Sequence, residues 1–213
     1  MAVSLIDQGM LNVRGGHAIY WEVAGNPNGI PALVLHGGPG SGCRPGHYDL
    51  FDLAHYKVIL MDQRGCGRST PLASETLDAL TDNTTDDLIA DIVALRSHLK
   101  VEQWLVFGGS WGSTLALLYA QLFPDQIRGL VLAGVATTAQ KDLAWLYGDV
   151  GNLFPEAFDR FCGHVAWAQT VPERIAAYAD LLAEEATAQL AADAWCRWEL
   201  AIFQNDFAGA GAP

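Results

Sequence analysis

One stretch constrains this chain more than any other: QWLVFGGSWGSTLALLYAQLFP, Gln103 to Pro124. An apolar run ends on glycines, a serine follows between glycines, and a helix-forming segment leaves at once. The G-x-S-x-G pattern, Gly108 to Gly112, asks for a strand, a sharp turn and a helix folded back on that strand. Glycine lacks the Cβ that would clash where strand and helix cross. Such a unit belongs in a layered α/β structure.

Three more apolar runs have strand length: PALVLHG (31–37), YKVILMD (56–62) and GLVLAGV (129–135). Between YKVILMD and QWLVFGG lies NTTDDLIADIVALRSHL, with Leu88, Ile92, Leu95 and Leu99 at helical spacing. Asn83 or Thr84 serves as its N-cap, and Asp86 and Asp87 fall in the first turn, where negative charge is favoured. Alternating strands and helices predict a doubly wound, mostly parallel sheet. Upstream, MLNV and HAIYWEVAG flank RGG, which predicts an antiparallel hairpin. Past Val135 the texture becomes helical and rich in Ala, Leu and Trp over 140–207, with breaks near Pro155 and Pro172. The expected organisation is an α/β core over 1–137 and a partial helical cap over 138–213.

Composition removes several classes of function. With 51% hydrophobic and 17% charged residues, the chain can build a large core. A net charge of −12 repels phosphate backbones, so no nucleic-acid partner is expected. The apolar stretches stop well short of the ~20 residues a membrane span needs, and no membrane partner is expected. The N-terminus shows no basic-then-apolar leader pattern. Four widely spaced cysteines, with no C-x-x-C, read as free thiols of a cytoplasmic protein. No histidine stands at metal-ligand spacing, so no metal is expected. The oligomeric state is left open.

Three loops follow the carboxyl ends of strands, where open α/β sheets place ligands. They are HGGPG (His36–Gly40), DQRGCGRS (Asp62–Ser69) and GGSWG. Ser110 is the candidate nucleophile, and an N–H of the HGG loop can join that of Trp111 to hold an oxyanion. Cys66 reads as a small buried thiol, and His36 as a packing group beneath its loop.

HGGPG, DQRGCGRS, NTTDDLIADIVALRSHL and WLVFGGSWGSTLALLYAQLFP, in this order and spacing, resemble the prolyl aminopeptidase (proline iminopeptidase) family of α/β-hydrolases. The likeness runs from about Leu11 to Val135. It continues more weakly into LFPEAFDRF and AWCRWE, which resemble the family's cap. It implies a serine peptidase that removes N-terminal proline from small peptides, with no cofactor. By that resemblance Ser110 is the nucleophile, and the N–H groups of Trp111 and Gly38 (or Gly37) form the oxyanion hole. Glu199 receives the substrate's terminal amine, and Trp195 and Trp198 line the space for its ring.

The family's triad runs Ser, Asp, His along the chain, with the last two on loops after later strands. No such strands follow GLVLAGV, so the chain is read as an N-terminal portion whose sheet stops before its last strands. His164 is the only histidine after Ser110; Asp142, Asp149 and Asp159 precede it, all in the expected cap. Two other readings stay open: an esterase or amidase on the same scaffold, and a catalytically inactive chain.

Overall fold

The computed structural model describes residues 3–203, and the chain divides into two compact units, Met1–Thr137 and Thr138–Pro213. The first contains β1 (Leu5–Asn12), β2 (Ala18–Gly25), β3 (Ile30–Leu35), β4 (Tyr56–Met61), α1 (Thr85–His98), β5 (Trp104–Gly109), α2 (Trp111–Leu122) and β6 (Ile127–Ala133). Its sheet has the order β1-β2-β4-β3-β5-β6. β1 and β2 form the antiparallel hairpin, β2 pairs antiparallel with β4, and β4, β3, β5 and β6 run parallel.

Side-chain alternation gives this sheet two buried faces. Leu33, Leu35, Ile59, Met61 and Val106 pack with Ile92 and Leu95 of α1 and Leu115 and Tyr119 of α2. Val34, Val58 and Leu60 point the other way, against Tyr48. β3 therefore reads as an unbroken apolar run because both of its faces are covered. β6 is flanked only by β5 among the described residues, and its Val131 is 45% exposed.

The strand order also locates a site. The chain leaves β3 for β4 on one side, then returns through α1 to β5 on the other side of β3. The loops after β3 and β5 thus diverge, and a crevice opens between their carboxyl ends.

α1 begins at a reciprocal cap, in which Asp87 N–H bonds the Thr84 hydroxyl oxygen while the Asp87 carboxylate accepts from the Thr84 N–H. The Thr84 hydroxyl also donates to Asp87 at 2.7 Å, and Arg14 pairs with it at 2.8 Å. These donors, Thr84 first, hold its carboxyl down at about 2. A depressed folded-state value means stability present above the unfolded carboxylate range and lost as pH falls toward 2. Arg14 is 78% exposed, so water screens much of the ion pair. Asp87→Asn should lower stability by about 1 kcal/mol at pH 7. Urea unfolding should show that gap closing between about pH 4 and pH 2.

The second unit contains α3 (Gln140–Leu146), α4 (Pro155–Gly163), α5 (Val171–Ala183) and α6 (Glu185–Phe203). Pro155 and Pro172 sit in first turns, where a missing N–H removes no helical bond. The core is aromatic: Phe161 stacks on Tyr178 with centroids 4.7 Å apart, and on Trp198 at 5.4 Å. Trp198 is 1% exposed and its indole N–H bonds the Leu146 carbonyl, so it is core packing rather than an open wall. No described helix is long and apolar enough to cross a membrane.

Candidate active site

Ser110 occupies the turn between β5 and α2, with φ 51° and ψ −121°. That backbone is costly for a residue with a Cβ, of order 1–3 kcal/mol, and persists only where its surroundings enforce it. They do so here through three bonds. Ser110 N–H donates to the Ala133 carbonyl at 2.9 Å, and the Ser110 carbonyl accepts from the Ser113 N–H and hydroxyl at 2.8 and 2.6 Å. Ser113 Oγ in turn accepts from the Ala136 N–H, tying the turn to the segment after β6.

A serine at a helix N-cap normally bonds an N–H of the first turn. Ser110 does not: its hydroxyl makes no cap bond, and the residue is exposed. The close crossing behind it depends on glycine. A Cβ on Gly112 would run into the Leu35 carbonyl of β3, and one on Gly108 into the Gly112 carbonyl.

The HGGPG loop passes directly against this serine. A Cβ on Gly37 would lie 3.1 Å from Ser110 Cβ, and Gly38 adopts φ 113°, a region suited to glycine. Trp111 holds the first position of α2, where the backbone N–H has no intrahelical partner. Gly38 and Trp111 thus come from the two loops that bound the crevice.

His36 lies beneath its loop with both ring nitrogens engaged. Gln63 N–H donates to Nε2 at 3.0 Å, so the proton sits on Nδ1, which donates to the Gly37 carbonyl at 2.9 Å. Burial pushes its pKa down, and the ring is a neutral strut. Gln63 also donates from Nε2 to the His36 carbonyl at 2.9 Å and accepts the Trp111 indole N–H at 3.2 Å. One glutamine therefore clamps all three loops. Sequence reasoning marked the DQRGCGRS loop but not this residue, whose role exists only once β4 lies beside β3.

The same loop is anchored by two ionic groups. Arg64, with a fully buried side chain, makes a bidentate pair with Asp91 at 2.6 and 2.7 Å. Arg68 bridges Asp62 and Glu22. Burial raises the Cys66 thiol to about 11, and its Sγ donates to the Gln63 carbonyl at 3.2 Å, an inert packing group.

Among the described residues no histidine is hydrogen-bonded to Ser110. His164 ends α4 in the second unit and is exposed. Glu199, on α6, is half-buried. Its Oε1 accepts from the Tyr147 hydroxyl at 3.0 Å and the Trp195 indole N–H at 2.9 Å, while its Oε2 takes no bond among the described residues. Among those residues no group of three His, Cys, Asp or Glu could hold a metal ion.

The family model described as the alpha/beta hydrolase fold matches residues 31–185. A Streptomyces coelicolor protein named "Probable proline iminopeptidase" is 48% identical over 92% of this chain, which spans 61% of that protein. An Arabidopsis thaliana proline iminopeptidase is 44% identical over 90% of the chain and 50% of its own length. The crystal structure of a Mycobacterium smegmatis proline iminopeptidase superposes with a TM-score of 0.58 at 25% identity, covering 91% of this chain and 67% of that one. With the strand–serine–helix turn and the sheet order in agreement with the family model, the chain belongs to the α/β-hydrolase family, and it is similar to curated proline iminopeptidases over about three fifths or less of their length.

Proposed function

We propose that this chain carries the nucleophile and oxyanion donors of a serine aminopeptidase that releases N-terminal proline from small peptides. Ser110 Oγ attacks the prolyl carbonyl, and the N–H groups of Trp111 and Gly38 hold the resulting oxyanion. Collapse breaks the peptide bond, expels the shortened peptide as an amine and leaves a prolyl ester on Ser110. Water then hydrolyses that ester. The observation that carries this reading is the strained Ser110 backbone, whose hydroxyl makes no cap bond, beside a glycine loop so close that a Cβ on Gly37 would lie 3.1 Å from Ser110 Cβ.

The serine proton needs a base. His36 is occupied on both nitrogens. We assign the histidine and its orienting carboxylate to the portion of the relatives that this chain does not span. Glu199 is the proposed receptor for the substrate's cationic terminus. Two donors fix one oxygen, and the other takes no bond among the described residues and is left to accept. The free cysteines agree with a cytoplasmic setting.

An esterase or amidase would use the same turn and oxyanion loop, so the amine contact separates the two. The test joins residues 1–203 to the segments of the Streptomyces relative that the chain does not cover. This chimera should hydrolyse a prolyl arylamide in preference to its N-acetylated form and to simple acyl esters. Glu199→Gln should raise KM for the prolyl substrate about tenfold or more, the scale of a charged hydrogen bond at ~1.5–3 kcal/mol. Equal turnover of the N-acetylated substrate would favour the esterase or amidase. The 213-residue chain alone should release proline no faster than its Ser110→Ala variant.

A further inference from the structure

The second unit holds a cavity for which the peptidase chemistry has no use. It measures about 440 Å³ between α4 and α6, within the range of small-molecule sites. Its lining is of two kinds. Phe161 and Trp198, 2% and 1% exposed, are stacked with planes 16° apart and back it from the core, while Ala157, Ala194 and Ala201 complete its apolar lining. Arg160 and His164 from the end of α4 and Arg197 from α6 are exposed and supply positive or potentially positive groups.

That concentration runs against the local charge. Residues 138–203 contain four Lys and Arg against ten Asp and Glu, and two of those four line this one cavity. Each arginine has an acid four positions earlier on its own helix, Glu156 for Arg160 and Asp193 for Arg197. That spacing and polarity favour a helix-surface ion pair. Neither pair forms among the described residues, and Asp193 instead accepts from Gln189. Arg160 also complements the carbonyl end of α4. Arg197 stands inside α6, where no helix end accounts for it.

We propose that this cavity binds a carboxylate carried on an apolar body. The guanidinium groups offer bidentate donors to the carboxylate, and the apolar part lies against the alanine-lined side of the cavity, over the edge of the Phe161–Trp198 stack. The site is separate from Glu199. At 100° per residue, Arg197, Trp198 and Ala201 share a face of α6 about a third of a turn away from Trp195 and Glu199.

The carboxylate could come from a free aromatic acid or from the C-terminus of a peptide ending in an aromatic residue. Titration calorimetry of the 213-residue chain with phenylacetate and with acetyl-Ala-Phe, each against its own amide, distinguishes them. The acids should bind at least tenfold more tightly than the amides. Whichever acid binds more tightly identifies the source, and either result supports a carboxylate site. Arg160→Gln with Arg197→Gln should weaken the acids tenfold or more at unchanged circular dichroism and melting temperature. Arg197→Gln alone, an exposed position refilled by a good helix former, should lose at least threefold and guards against misfolding of the double variant. Equal binding of acid and amide, no binding of either, or full binding in Arg197→Gln would overturn the proposal.

Discussion

Ser110→Ala in the completed chimera is expected to lower kcat/KM for a prolyl arylamide by about 10⁴–10⁶, some 5–8 kcal/mol of transition-state stabilisation. Removing the hydroxyl removes the only proposed bond-forming atom, so the oxyanion donors alone would sustain the residual rate. The fold should not change, because alanine at φ 51° meets the same backbone penalty that serine already bears. Ser110→Gly supplies the complementary control. It should be as inactive as alanine, yet more stable by about 1 kcal/mol, since glycine relieves the strain. Activity surviving in both variants would mean that another residue is the nucleophile. Equal stability in serine, alanine and glycine forms would mean that the turn stores no strain.

The second large effect is expected on stability, at Asp91→Ala. Arg64 is 0% exposed at its side chain and meets Asp91 through two bonds of 2.6 and 2.7 Å, with the Asp82 carbonyl as a further acceptor. Taking away the carboxylate leaves a buried guanidinium charge with too few acceptors, a defect of about 3–5 kcal/mol. Against a total stability of ~5–15 kcal/mol, that places the variant near the edge of folding. Replacing both partners, as Arg64→Met with Asp91→Leu, should recover most of the loss, because no unpaired charge stays behind. Denaturant midpoints of the three proteins check this. A loss below ~1 kcal/mol in Asp91→Ala would show that water reaches Arg64 and relieves it.

Much of this molecule could be read from local pattern. Apolar runs of six to seven residues marked β3 to β6: β3, β4 and β5 lie inside the parallel sheet with apolar side chains on both faces, while β6 carries the same pattern at the edge of the described sheet. An N-cap at Asn83 or Thr84, which the structure resolves to Thr84, and the Leu88–Ile92–Leu95 spacing marked α1, and Gly108-x-Ser110-x-Gly112 marked the turn, because caps and close crossings are short-range events. The prolines at 155 and 172 marked breaks in the helical region, and the structure places each in the first turn of the helix that follows. What tertiary structure alone decided was which distant segments meet. That β4 inserts between β2 and β3, and so puts the HGGPG and GGSWG loops across one crevice, depends on strand order, which periodicity does not encode. Gln63 became a three-loop clamp, Arg64 a buried partner of Asp91, and Trp198 a core residue only through contacts between segments 27 to 52 positions apart. Polar residues of that kind carry no one-dimensional signature: the same Gln, Arg or Trp sits equally well on a surface until the packed chain removes water from around it.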